Sequence, residues 1–475
     1  MKNLKIFFLA ALTLAFGCTN DFDEINTNTN QPEVATSDLL LSTVISNVLG
    51  QVARDGYSEG NQVSQHVASN NFTGFDRYNW GSNGLWNTMY ENLTEVEIIL
   101  EQSRAEGAGN TSYEGMALVL RSWMYSNLTD LFGDVPFSEA ISGATEGNFT
   151  PTYDSQESIY DAILTDLATA DDLLAQGQQI LGGDILYGGD LTSWRKLANS
   201  LRLRYLMRIS KRRDVAAQMQ QIVDNEPIFE SAADDAAMSY PATSNEDSWP
   251  ISIGRIGGFD ARRLSDTNFE VLSAFDDPRL STWFQKTDNP EEDVFRSIPN
   301  GLSEDNASNW NGGAQNQSRL NQALFFDCSN CVRAPLMQFA ELSFILAEAA
   351  QQGMISGDAQ TYYEAGIQGS FDYWNTSMPE DYLSRDGVAY NGALETIMTQ
   401  KWLAFFMVGF EAWYDFRRTG LPAFIEPGPD NVNNNRVPTK FFYPSSEQTL
   451  NPENWQAAVD RIGGDDINVR GWWEQ

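Results

Sequence analysis

The segment MQFAELSFILAEAAQQGMISGDAQTYYEAGIQGSFDYW, residues 337–374, decides the fold. Its apolar residues recur at helical spacing from Met337 to Gly353 and again from Ala359 to Trp374, with Gly357 in the turn between. Residues three and four apart share one helix face, so each half carries a single apolar stripe, and the pair predicts an αα-hairpin. Helix pairs of this size bury their stripes only by stacking on neighbours, so further helices are expected beside this one.

Upstream, the same period runs through Leu40, Val44, Val48 and Val52 behind a capping Ser37, and through Leu85, Met89, Leu93, Val96 and Leu100. A third helix starts near Ser112, carries Met116, Leu120, Trp123 and Leu128, and stops at Gly133 and Pro136. Asp154 or Ser155 caps a fourth, with Ile159, Ile163, Leu167, Ala170 and Leu174. Thr192 caps a fifth, in which arginines are interleaved with Trp194, Leu197, Leu201, Tyr205 and Ile209. Between about residues 227 and 335, Gly, Pro, Asn and Ser break the period into short pieces. The hairpin is about 34 residues long, and its Ala347, Ala350, Ala359, Tyr363 and Ala365 resemble a tetratricopeptide unit. The expected fold is all-α dominated: a helical solenoid of tetratricopeptide-like pairs with an irregular loop and short-strand insertion.

The N-terminus reads as a targeting segment. Lys2 and Lys5 precede a run from Ile6 to Phe16 that is apolar except for Thr13. That run is far shorter than the roughly 20 residues a spanning helix needs. It ends in Leu14-Ala15-Phe16-Gly17-Cys18, which resembles the bacterial lipobox and implies diacylglycerol on Cys18 after cleavage. The expected division is a signal peptide over 1–17, a lipidated Asn-rich tether over 18–35 and a body over 36–475. Asp21, Asp23 and Glu24 resemble the signal that sends lipoproteins of Bacteroidetes to the outer face of the outer membrane.

The formal net charge is −35, and removing Lys2 and Lys5 with the leader makes it −37. Such a chain repels phosphate backbones and anionic lipid head groups, which argues against nucleic acid as a partner. Cys328 and Cys331, spaced as Cys-Ser-Asn-Cys, read as a disulfide staple in an oxidising compartment. Zinc would need two more ligands, and His66 is the only histidine. A thioredoxin-like role would place the pair at a helix start, whereas Pro335 follows here. No metal or cofactor is expected.

No phosphate loop, HExxH or nucleophile elbow occurs. Two of the 65 acids could meet at the roughly 5–10 Å of a glycosidase pair, but no motif marks them. His66 reads as a structural residue, partly buried on a helix, and Trp283 as structural too. Aromatics set among Asn, Gly and Ser stand out instead: Phe72, Phe75, Tyr78 and Trp80, then Trp249, then Trp310. The apolar C–H face of a pyranose packs on such rings while amides and guanidinium groups bond its hydroxyls. Tyr78, Trp80, Trp249 and Trp310, with Arg77, Asn79, Arg255 and Asn309, are therefore the candidate ligand residues. The competing reading is that these rings pin loops to the body.

Several segments in order resemble the SusD/RagB family of surface glycan-binding lipoproteins: LTDLFGDVPFSEA from Leu128, PTYDSQESIY from Pro151, WRKLANSLRLRYLMRIS from Trp194, ELSFILAEAAQQG from Glu341 and QKWLAFFMVGFEAWYDFRRTGLP from Gln400. The resemblance implies a helical body that packs on a SusC-like TonB-dependent transporter and passes it captured glycan, algal polysaccharide among the candidates, with no enzymatic step. Binding residues vary within such a family, so none is carried over. The alternatives are a gating partner that touches no ligand, or a surface glycoside hydrolase or lyase.

Overall fold

A computed structural model describes residues 35–475 apart from 106, 108, 181, 242–247, 254–258 and 327–331. Cys18, Arg255, Cys328 and Cys331 lie outside the described residues, as do the signal segment and nearly all of the tether.

The predicted helices form, with boundaries set by whichever side chain reaches the free N–H groups. α1 is Ser37–Asp55, preceded by Thr36, because the Ser37 hydroxyl bonds Gln102 instead of capping. α2 is Leu85–Ser103 and α3 is Thr111–Phe132, ended by Gly133 at a φ of +90°. α3 is apolar on nearly every side and is accordingly buried on nearly every side. α4, Gln156–Ala175, is capped by Ser155. α5, Leu191–Arg208, is capped by Asp190 rather than Thr192, since the Asp190 carboxylate accepts from the Thr192 N–H at 2.9 Å. α6 covers Ala216–Asn225.

Among the described residues of the insertion the longest helix, α7, spans only Asp266–Ala274. α8, Phe339–Gln351, and α9, Ala359–Tyr373, are the predicted hairpin. α10 (Leu394–Ala404), α11 (Glu411–Thr419) and α12 (Pro452–Ile462) are the remaining helices of nine or more residues among the described residues. Contacts run from neighbour to neighbour, α1 to α2, α2 to α3, α3 to α4, α4 to α5, α5 to α8 and α8 to α9, which is the solenoid arrangement.

The described strands form three two-stranded antiparallel ribbons. β1 (Val67–Ser69) pairs with β5 (Arg262–Leu264), β2 (Val135–Pro136) with β3 (Tyr153–Asp154), and β4 (Ala236–Ser239) with β6 (Arg333–Met337). The β4–β6 ribbon closes the insertion at its base, and β6 packs on α1.

Arg202, Arg204 and Arg208, interleaved in α5, are buried. Arg204 grips Glu341 of α8 through two 2.5 Å bonds, and Arg208 bonds Asp130 of α3 and Glu411 of α11, both at 2.5 Å. Nearby, Arg418 holds Glu348 at 2.6 and 2.7 Å, and Lys401 meets Asp415 at 2.5 Å. Charges this deep persist only when fully paired, so the network fixes how α3, α5, α8, α10 and α11 sit against one another. Trp283 is fully buried against Phe406, as expected of a structural residue. His66 is also structural, but it lies in the bend after a short helix and is completely buried. Its Nε2 meets the Trp402 carbonyl at 2.7 Å, and burial lowers its pKa to about 3, keeping the ring neutral.

Candidate functional site

Three loops far apart in sequence meet beside β1 and β5. The first, residues 70–80, leaves β1 and is anchored from beneath by Asp76. This buried carboxylate accepts from the Ser69 N–H at 2.7 Å and from Gln62 Nε2 at 2.8 Å, and burial pushes its pKa up to about 6. Asn70 donates to Gln317 Oε1 at 3.0 Å, and Gln317 Nε2 donates to the carbonyls of Ala307 and Trp310 at 2.8 and 2.9 Å. One buried amide thus ties the first loop to the second, residues 298–317.

The third loop, residues 426–436, is stitched to both. Arg77 Nε donates to the Asp430 carbonyl at 2.8 Å, and the Val432 N–H returns a bond to the Arg77 carbonyl at 2.8 Å. Asp430 Oδ2 accepts from the Ser303 N–H at 2.7 Å and from Asn306 at 2.8 Å. At the crossing the backbones touch: a Cβ on Gly428 would fall 1.9 Å from the Asn300 carbonyl oxygen, so only glycine fits there. The Asp430 carboxyl lies below its usual range, chiefly through the Ser303 N–H.

On this braced surface the exposed large apolar residues are Phe72 at 65%, Val432 at 51% and Trp310 at 38% exposure. Phe72 adopts a φ of +57°, and its N–H is held by Asn71. Asn309 and Asn79 are exposed, and Asn311 takes a φ of +56° while donating to the Ser297 carbonyl. Exposed rings beside amides on a rigid base can stack on a sugar face and bond its hydroxyls.

The structure brings together only part of the predicted set. Trp310 and Asn309 stand on the loop face, Asn79 is exposed, and Arg77 is half-buried as a brace. Trp80 is not available as a ligand platform. It is 8% exposed, stacked on Phe75 at 4.7 Å and Phe441 at 4.6 Å with Trp413 edge-on at 5.6 Å, and its Nε1 donates to the Phe75 carbonyl. Tyr78 is 4% exposed and packs edge-on to Trp80. Trp249 is equally buried, against Tyr57 and Phe325. These three rings pin loops to the body. Sequence reading missed Val432, Asp76 and Gln317. It noted Phe72 without selecting it, although Asn71, Thr73 and Gly74 around it carry the loop signal.

A family profile described as SusD-like, starch-binding and associating with the outer membrane, matches residues 29–444. The chain belongs to the SusD-like family. A SusD homologue from Bacteroides fragilis superposes with a TM-score of 0.82 at 24% identity, over 93% of this chain and 100% of its own. A second B. fragilis SusD homologue gives 0.76 at 28% identity, over 93% and 100%. A chitin-binding SusD homologue from Flavobacterium johnsoniae gives 0.76 at 24%, over 91% and 98%. No curated protein matches the sequence. The SusD-like fold therefore accounts for the solenoid and its insertion together. Among the described residues no helix is long and apolar enough to cross a membrane, and no cluster of three or more metal-ligating side chains occurs.

Proposed function

We propose that this SusD-like chain is a cell-surface lipoprotein, anchored through Cys18, that captures polysaccharide or oligosaccharide on the loop face. It hands the glycan to a SusC-like TonB-dependent transporter and does no chemistry on it. The observation that carries the reading is the exposure of Phe72 and Trp310 on loops locked together by Gln317 and Asp430. A pre-formed platform loses little side-chain freedom on binding, which suits a receptor for a flexible chain of sugar rings. Support also comes from the family description as starch-binding and from the relatives named as chitin-binding.

The test is titration calorimetry of residues 36–475 against starch, chitin oligosaccharides, algal glucans and ulvan, with a Phe72→Ala/Trp310→Ala variant alongside. At least one glycan is expected to bind. The variant is expected to lose roughly tenfold or more, about 1.4 kcal/mol, which is the scale of one well-stacked aromatic contact. Absence of binding to every glycan, or binding unchanged in the variant, would remove the basis of the reading.

A further inference from the structure

A pocket of about 610 Å³ lies where the C-terminal end of α9 meets the insertion. None of its lining residues belongs to the three loops of the face described above. The wall includes Asn321, Arg333, Asp372, Tyr373, Trp374 and Asn375.

Trp374 is almost wholly buried, packed against Trp283, Phe325 and Phe406, yet its indole N–H has no acceptor. Arg333 lies 4.1 Å over the Tyr373 ring and donates to the Tyr373 carbonyl at 3.0 Å, so its guanidinium is fixed at the wall. One oxygen of Asp372 accepts from Gln368 at 2.8 Å, and the other engages no described side chain. Asn375 holds a φ of +49° and presents an exposed amide that bonds no described residue.

The wall carries one cation and one anion, so it favours neither an anionic nor a cationic ligand. It offers donors from guanidinium, an acceptor from carboxylate, and both from an amide. Vicinal hydroxyls, each of which donates and accepts, match that set, and the volume lies within the range of small-ligand sites. We infer that this pocket is a second saccharide site, separate from the loop face, taking a neutral unit of one or two hydroxylated rings. The inference rests on the reading that the chain binds glycan. Two sites on one body would hold a polymer by linked contacts, raising avidity without any new contact on the loop face.

The test follows the Trp374 indole N–H by nuclear magnetic resonance in ¹⁵N-labelled protein. The signal is assigned by its loss in Trp374→Phe, and the probes are maltose, cellobiose and N,N′-diacetylchitobiose titrated into the millimolar range. One disaccharide is expected to shift the signal, and Asp372→Ala/Asn375→Gly is expected to weaken that titration roughly tenfold or more. Glycine accepts the positive φ at position 375, so the fold should survive the change. Phe72→Ala/Trp310→Ala should leave the titration intact. A Trp374 signal unmoved by every probe, or a titration unaffected by Asp372→Ala/Asn375→Gly, overturns the inference. If the signal moves while the calorimetric polymer binding above is absent or insensitive to Phe72→Ala/Trp310→Ala, the loop-face reading fails and this one stands.

Discussion

Replacing Trp80 by alanine separates a ring that holds the loop face in place from a ring that touches ligand. The indole is 8% exposed and stacks on Phe75 and Phe441 at 4.7 and 4.6 Å, with Trp413 edge-on at 5.6 Å. Truncating a buried tryptophan costs about 3–5 kcal/mol in lost transfer energy and cavity formation. The Phe75 carbonyl, which accepts from Nε1 at 3.0 Å, adds up to about 1 kcal/mol if left unpaired. Unfolding entropy of about 2.1 cal/mol/K per residue gives about 0.9 kcal/mol/K for a chain of this length. A cooperative transition should therefore fall by roughly 4–6 °C. The assay is differential scanning calorimetry of wild type, Trp80→Ala and Trp80→Phe, with glycan titration of each below its transition. Trp80→Phe should regain about half of the loss, because a phenyl ring refills the stack but lacks the N–H. If Trp80→Ala melts with wild type yet no longer binds glycan, Trp80 is a ligand residue and the argument from burial is wrong.

Gln317→Ala removes the amide that joins the first two loops, so glycan affinity should drop by about tenfold while far-ultraviolet circular dichroism stays that of wild type; unchanged affinity would show that the tie is dispensable. Asp76 has a pKa raised to about 6 by burial, against roughly 3.9 in the unfolded chain. The folded state therefore holds its proton more tightly, and stability worth up to about 3 kcal/mol is lost as pH rises from 4 to 6. Asp76→Asn cannot titrate and should flatten the slope of urea-denaturation stability in that window; an unaltered slope would refute the assignment. Arg418→Ala leaves Glu348 buried without its partner and should cost about 3–5 kcal/mol, of which Arg418→Met/Glu348→Gln should recover at least half, as read by denaturant midpoints. A single-variant loss below about 1 kcal/mol would mean that water reaches Glu348.

The helical body was legible because its stripes repeat every three to four residues over long runs, and a local period reports a local conformation. Caps were displaced by a residue or two where a neighbour competed: the Ser37 hydroxyl turned to Gln102, and Asp190 outranked Thr192. The loop face was legible only as composition. Phe72 and Phe75 are three residues apart in similar surroundings, yet one projects to solvent and the other lies under Trp80. What distinguishes them is Phe441, more than three hundred and fifty residues away, whose ring completes the stack. Tyr78 and Trp249 were misassigned for the same reason, since irregular backbone carries no period to tell inward from outward. Gln317 and Asp76 gave no signal at all, because an amide or carboxylate becomes a brace only when distant backbone arrives within hydrogen-bond reach.

Asp430 reaches back to Ser303, Asn306 and Arg77, and therefore dates the loop face within the life of the chain. A polypeptide growing from its N-terminus carries Phe72 early and Trp310 midway, but it has no platform until the segment beyond residue 430 arrives and closes two long loops at once. A nascent or truncated chain would display the same rings on untethered backbone, with little grip on a sugar polymer. If the loop face is the glycan site, recognition is thereby reserved for a chain that has been made past residue 430, and the late arrival of one aspartate completes the platform.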